Sequence, residues 1–503
     1  MMRTEGHGAV VVSPITQQKS KYLGFSFVDD TDNCTTGANP ATAVHKMQAL
    51  LDAWASGVGV TGGLLVPEKS HWYLVSFVPD SNGDYHPYVP QPNECSLTLP
   101  DASGNPCPIE LLSPKDARRT LGVEYAPTGT MSSQKAVLRA KSEQWANRIR
   151  QCGLPRPLVW LAFHTTILKS LEFPLATTTL TEDECTWILR PALSAALSCS
   201  GINRNVANAI VYGPSCLQGL NVPHLYDTQA ISRFARLLKH SDHQQDTTWQ
   251  LLQTSLEFFQ LDLGLPGDPL QAPPEATYTT PSWIQDVQAH STRVGWSIQR
   301  PFSPFQPIWS NDVFLMQLFL TYTIDPIDLR TLNKCRLFLR ALTVGDLLDA
   351  SGTVIRHNAF HEPKPIDHHD YDWPPQVCPP SSAWSLWRQT LKQCLHLSPT
   401  GTTTLTLGIL RRWPQDWWYS FEDQALFTRD SHSYSRFEST STRRRRHTHL
   451  TFSTASTPSL LPSDAKPVAV RLSHLGWQID GLPGTRPTPP PLPPPHHRST
   501  LAH

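Results

Sequence analysis

Apolar and small residues alternate over Tyr22-Leu23-Gly24-Phe25-Ser26-Phe27-Val28, a period of two that predicts a half-buried strand. The spacing then changes. Val44, Met47, Leu51 and Trp54 fall on one helical face and predict a helix over 41–56, with Gly57, Gly59, Gly62 and Gly63 placed to stop it. Another strand is expected over 72–78, followed by the turn signal Asp80-Ser81-Asn82-Gly83. From Ser133 to about Gly264 the pattern is helical. Leu138, Trp145 and Ile149 share a face, and Thr181-Glu182-Asp183-Glu184 opens a helix with acids where the dipole favours them. Two more helices are expected over 228–240 and 247–261, and helical spacing returns over 312–350.

The predicted fold class is α+β, in five segments. Residues 1–130 are β-rich with one helix, 131–265 are helical, and 266–310 form a Pro-rich linker. Residues 311–435 make a helical, Trp-rich module with a loop-rich end, since 351–430 hold Trp373, Trp384, Trp387, Trp413, Trp417 and Trp418. Residues 436–503 are Arg/Ser/Thr/Pro-rich and are expected to be disordered, because such a composition buries too little apolar area to offset chain entropy.

Charge and cysteine content narrow the function. Lys+Arg and Asp+Glu both number 42 in 503 residues, so bulk charge cannot bind nucleic acid and any polyanion site must be a local basic patch. The 10 cysteines include no CxxC, which argues against a zinc finger, a redox motif or a disulfide scaffold. No apolar run approaches a membrane span, and the N-terminus lacks the pattern of a secretory signal. The expected setting is intracellular, cytoplasmic or nuclear, with reduced thiols.

The segment Phe27-Val28-Asp29-Asp30-Thr31-Asp32 carries the candidate chemistry: an aromatic strand running into adjacent carboxylates, ligands that suit hard Mg²⁺. By itself an Asp-Asp pair is a weak signal, more often a solvated turn or a helix cap than a metal site. The following residues change that weighting. An amphipathic helix is followed by Thr61-Gly62-Gly63-Leu64-Leu65-Val66-Pro67-Glu68-Lys69-Ser70 and, later, Arg119-Thr120-Leu121-Gly122-Val123. In this order the chain resembles the reverse transcriptases of LINE-like, non-LTR retroelements over about residues 20–265. Phe27-Val28-Asp29-Asp30 looks like their catalytic Y/F-x-D-D motif, and the Gly-rich turn with Lys69 is similar to the next palm motif. Leu121-Gly122-Val123 resembles a primer-grip strand.

The resemblance implies a partial palm, a helical thumb and RNA-directed DNA polymerisation by a two-metal mechanism. Asp29 and Asp30 would hold Mg²⁺ or Mn²⁺, and Lys69 would protonate the leaving pyrophosphate. The partners implied are an RNA template and a DNA primer, gripped by Lys135, Arg139, Lys141, Arg148 and Arg150, whose basic helix would face the backbone. The sequence also departs from the family. A palm polymerase needs a further aspartate upstream of the hairpin and fingers for the deoxynucleotide triphosphate, yet the 28 residues before Asp29 contain no Asp. The expectation is a C-terminal part of such a polymerase, inactive alone. Two alternatives stand beside it: an inert nucleic-acid-binding remnant, and an adaptor acting through the Arg/Pro-rich tail.

Five further features have both plain and functional readings. Asp32 is expected to be a turn residue, and Trp72 and Tyr73 to pack beneath the sheet. His357 and His361, with Asp367, His368, His369, Asp370, Asp372 and Cys378, are ligand types that suit zinc, but no paired Cys completes a tetrahedral set. Residues 443–446 are four arginines fit for phosphate or nuclear import. The run Arg486-Pro487-Thr488-Pro489-Pro490-Pro491-Leu492-Pro493 resembles an SH3 ligand or a plain low-complexity tail.

Overall fold

The computed structural model describes residues 8–480 except 28–29, 81–84, 91–94, 244, 272–275, 297–299, 301, 308, 310, 324, 349–353, 367–370, 400, 406, 408–416, 421, 424, 430–433, 445–446, 460–461 and 474–475. The chain is α+β, as expected, and divides into two compact units: residues 1–260 with 267–302, and residues 261–266 with 303–503. Among the described residues no helix is long and apolar enough to cross a membrane.

The first unit opens with short strands: β1 (Ala9–Val12), β2 (Lys19–Tyr22), β3 (Gly24–Phe27) and β4 (Asp30–Asn33). β1 pairs with β2 and β3 with β4, each antiparallel. α1 (Pro40–Val60) follows, started by Asn39, whose side chain accepts from the Thr42 N–H at 2.8 Å. It runs through Gly57 and Gly59, which were expected to end it. The stop comes at Thr61 and Gly62, where φ turns to +79°. A helix tolerates a glycine at a cost of about 1 kcal/mol, whereas a left-handed residue ends it.

Next come β5 (His71–Tyr73), β6 (Phe77–Pro79), β7 (Tyr85–Pro87), β8 (Thr98–Pro100), β9 (Pro106–Pro108), β10 (Glu110–Leu112), β11 (Arg118–Thr120) and β12 (Val123–Tyr125). The strand expected over 72–78 is thus two short ones, β5 and β6. β5 pairs in parallel with β10, while β6 and β7 form the hairpin that the turn signal at 80–83 predicts. Leu51 of α1 packs with Trp72, Leu74, Leu97, Leu99 and Ile109 to make this region's core.

The helical part begins with α2 (Ser132–Gln151), α3 (Arg156–Ala162), a π-helical turn (Phe163–Ile167), α4 (Leu168–Glu172) and α5 (Glu182–Cys199). Thr181 and Glu184 form a reciprocal capping box at the start of α5, in the segment whose acids predict a helix start. α2 packs against α5, with Leu138, Phe163, Ile188 and Ala192 in one buried cluster. Then follow α6 (Asn208–Tyr212), α7 (Leu225–Ser241), α8 (Thr247–Leu263) and α9 (Trp283–Val294). α9 lies inside the stretch expected to be a linker. Ser282 caps it, accepting from the Gln285 N–H at 3.2 Å, and Gly295 ends it at φ +69°.

In the second unit α10 (Leu315–Tyr322), α11 (Pro326–Leu339), α12 (Val344–Leu347), α13 (His357–Phe360) and α14 (Ser381–Cys394) form a helical body. α14 carries Trp384 and Trp387 into its core, where the Trp387 indole donates to the Ala359 carbonyl at 3.1 Å. β13 (Trp417–Ser420), β14 (Ala425–Arg429), β15 (Tyr434–Arg444), β16 (His447–Ser459), β17 (Lys466–Ser473) and β18 (Gly476–Asp480) close a barrel in the order β13-β14-β15-β16-β18-β17. Most of the described residues of 436–480, expected to be disordered, are therefore paired in strands, and 462–465 turn between β16 and β17. The proline-rich run at 486–493 lies outside the described residues.

Candidate functional site

The β3–β4 register pairs Gly24 with Asn33, Phe25 with Asp32, Ser26 with Thr31 and Phe27 with Asp30. Val28 and Asp29 are left to join the strands, a two-residue connection of the kind that suits the twist of a hairpin. Asp29 itself lies outside the described residues. The strands approach so closely at Gly24 that a Cβ there would sit 1.9 Å from the Asp32 carbonyl oxygen. Successive strand residues face opposite sides, so Asp30 and Asp32 share one face and Thr31 the other. Asp32 is thus a strand residue beside Asp30, not the turn residue expected from sequence.

The hairpin, α1 and the β11–β12 hairpin open on one cavity of about 2130 Å³. Asp30, Asp32, Lys69, His71, Arg119 and Tyr125 are on its wall. Lys69 reaches it from a single 3-10 turn, Pro67–Lys69, and is exposed. The structure therefore brings the two described candidates, Asp30 and Lys69, to the same cavity. Trp72 is buried in the core beneath it, as expected, while Tyr73 also lines it and donates to the Asp116 carbonyl at 3.1 Å.

Burial dominates the local electrostatics, and the Asp32 charge recurs as a smaller influence. Burial pushes the Cys34 thiol up, and the Asp32 charge adds to that. The Tyr125 phenol is raised by burial, then by Cys34 and Asp32. His71 is held below the usual imidazole value by burial and by Arg118, against the opposing pull of Asp32 and Glu110. These groups went unnoticed in the sequence. The available signal was the i, i+2 spacing of Asp30 and Asp32 beyond a two-residue turn.

Leu121-Gly122-Val123 is not a strand. Leu121 and Gly122 form the turn joining β11 to β12, with φ of 49° and 84°, the two positive values of a type I′ turn. Arg119 sits on the strand before it and Val123 begins the strand after it.

The five cations assigned to α2 do not share a face. At 3.6 residues per turn, Lys141 and Arg148 project roughly 120–180° round from Lys135, Arg139 and Arg150. Two of the five serve the fold. Lys135 Nζ lies 2.7 Å from Glu184 Oε1. Burial raises the Glu184 carboxyl, but the Lys135 hydrogen bond and the Thr181 N–H outweigh it and hold the group below its usual value. Arg139 answers a defect in α5. Pro191 has no N–H to give the Trp187 carbonyl four residues back, and the Arg139 guanidinium donates to that carbonyl instead. The same guanidinium pairs with Glu143 at 2.6 Å and lies over the Trp187 ring at 4.5 Å. Of the other three, Lys141 and Arg148 share a face and remain for a polyanion, while Arg150 lies across the helix and donates to Asn147 Oδ1 at 3.3 Å.

The donor set for a divalent pair is short. Asp30 and Asp32, about 7 Å apart along the strand, are the described carboxylates of the hairpin. Among the described residues no group of three His, Cys, Asp or Glu side chains could hold a metal ion. A two-ion centre needs Asp29 and a carboxylate from a further strand, so the described residues alone do not fit one. Of the zinc-type set, His357 and His361 bring their rings to 5.1 Å, and residues 367–370 lie outside the described residues. Of the arginine run, Arg443 and Arg444 end β15, and 445–446 lie outside the described residues.

Comparison of the chain with protein-family models, with curated proteins and with solved structures gives no match.

Proposed function

We propose that the first unit is the end of the palm (1–130) and the thumb (131–265) of a non-LTR retroelement reverse transcriptase, an RNA-directed DNA polymerase. The observation that carries this reading is the β3–β4 hairpin. A two-residue connection containing Asp29 leads straight into Asp30, and Asp30 opens on the same cavity as Lys69. The order of elements supports it too: hairpin, amphipathic α1, Gly-rich turn with Lys69, short strands, then a helical body. On this reading, polymerisation with Mg²⁺ or Mn²⁺ requires a carboxylate and fingers from outside the described residues. The chain by itself then keeps the binding half of the function, a grip on template–primer through Lys141 and Arg148, which share one face of α2.

The test is primer extension on an RNA template with Mg²⁺ or Mn²⁺. It is run on the chain alone and on the chain fused to whatever reading frame lies upstream of its gene. The expected result is no product from the chain alone and extension by the fusion, abolished by Asp29→Asn or Asp30→Asn. Robust extension by the 503-residue chain alone would refute its incompleteness. Extension by the fusion that survives both substitutions would refute the hairpin as its catalytic centre.

A further inference from the structure

Three helices of the first unit meet in a polar cluster, none of whose residues lines the hairpin cavity. α9 presents Asp286, His290 and Arg293 at i, i+4 and i+7, one helical face. Arg293 fastens that face to two other helices. It donates to Glu182 Oε2 of α5 at 2.5 Å and to Asp227 Oδ1 of α7 at 3.0 Å, and lies over the Tyr226 ring at 4.9 Å. Asp286 is held by Tyr226 Oη at 3.2 Å, by Gln229 Nε2 at 3.3 Å and by the Arg233 guanidinium.

His290 sits inside this cluster with its side chain 1% exposed. The rings of Tyr226, Phe234 and Trp296 surround it at 5.4, 6.5 and 5.7 Å. Its Nδ1 lies 3.3 Å from an Arg293 N–H nitrogen, and its Nε2 is buried without a hydrogen-bond partner. A neutral imidazole with its hydrogen on Nε2 lets Nδ1 accept from Arg293 and leaves the buried Nε2–H without an acceptor. We infer that His290 makes the cluster an acid-sensitive latch: protonation turns the acceptor facing Arg293 into a donor, places a second cation in the aromatic cage, and releases α9 from α7 and α5.

Every charged neighbour enters the balance. Asp227 Oδ1, 3.8 Å from Nδ1, and Asp286 favour the cation. Arg293 and His224 oppose it, the latter placed 3.1 Å from Asp227 and 3.6 Å from Glu182. Burial is the largest influence, and the sum holds the imidazole below its usual value. The unfolded chain takes up the proton near the ordinary histidine value of about 6.5, and the folded chain does so at lower pH. Stability is therefore complete above that value and is lost as pH falls below it.

The experiment is amide hydrogen exchange of the full chain, corrected for intrinsic rates, at a series of pH values from about 5 to 7.5, bracketing the ordinary histidine value. In the wild type the opening constant of residues 283–294 should rise below about pH 6.5, by up to tenfold per pH unit for one proton. His290→Gln should abolish that rise, and His224→Gln should leave it. A pH-independent α9, or an equal rise in His290→Gln, overturns the latch; loss of the rise in His224→Gln does so too. Should His290→Gln fail to fold, the wild-type His290 ring can be titrated by NMR. Protonation at or above about pH 6.5 refutes the proposal.

Discussion

Neutralising the five basic residues of α2 in two groups separates what holds the fold from what could hold nucleic acid. In the first group, Lys135→Met removes a pair whose side chains are 35% and 31% exposed, so solvent screening leaves about 0.5–1 kcal/mol. Arg139→Met removes more. The Trp187 carbonyl, orphaned by Pro191, loses a charged donor, and the stacking over Trp187 goes with it. The expected cost is about 2–3 kcal/mol. The second group, Lys141→Gln, Arg148→Gln and Arg150→Gln, should leave stability within about 0.5 kcal/mol. Their effect is on binding: Lys141 and Arg148 share a face, and losing two phosphate contacts at about 0.9 each flattens the plot of log affinity against log salt by about 1.8. Urea denaturation reads the first effect. Fluorescence anisotropy of a labelled RNA–DNA duplex between about 50 and 200 mM salt reads the second. An unchanged salt slope in the triple variant would refute the grip assigned to α2. A folded Arg139→Met with wild-type stability would refute its role in mending α5.

Two predictions concern the second unit. Arg336 is fully buried and donates to the carbonyls of Leu261 at 2.6 Å, Asp262 at 2.9 Å and Ala341 at 3.3 Å, and to the Asn333 side chain. Arg336→Met should therefore lower unfolding free energy by about 3–5 kcal/mol in a urea titration, and a loss below about 1 kcal/mol would mean those acceptors find other donors. Asp312 is pushed up to about 6, chiefly by burial, despite the N–H groups of Gly345 and Val313 on its Oδ1. Its unfolded carboxyl ionises first, so stability falls as pH rises through the window from about 4 to 6. Asp312→Asn should raise stability at pH about 7.5, by a few kcal/mol at most, and change it little near pH 4; no gain at the higher pH would contradict this.

What was legible in the sequence was local, and what was missed has identifiable physical causes. Thr181 and Glu184 announce α5 because a capping box is a contact over three residues. α9 escaped notice although Ile284, Val287 and Val294 recur on one face, because the Pro-rich composition of 266–310 reads as a linker. The barrel strands escaped for a related reason: β15 and β16 are rich in Ser and Thr, which composition counts as tail, although Thr has good strand propensity. The structural role of Arg139 is not legible locally, because its partner is a carbonyl freed by a proline 52 positions later in the chain. That contact exists only after α2 packs on α5.

The hairpin shows where local reading stops short even when it succeeds. An aromatic strand entering Asp29 and Asp30 predicts a turn, and a hairpin is found there. Which carboxylates cooperate depends on the length of the turn as well as on their adjacency. With two residues in the connection, Asp30 opposes Phe27 and Asp32 opposes Phe25, so the acids that share a face are two apart. Shifting the alternation by one residue would put Thr31 on that face and turn Asp30 and Asp32 away. Gly24 keeps that arrangement open, because any side chain there collides with the Asp32 carbonyl and parts the strands. The chemistry available to this cavity is thus governed by a glycine five residues before the first aspartate. Asp32, dismissed as part of a turn when read as sequence, becomes the residue whose charge reaches His71, Tyr73 and Tyr125 across the cavity wall.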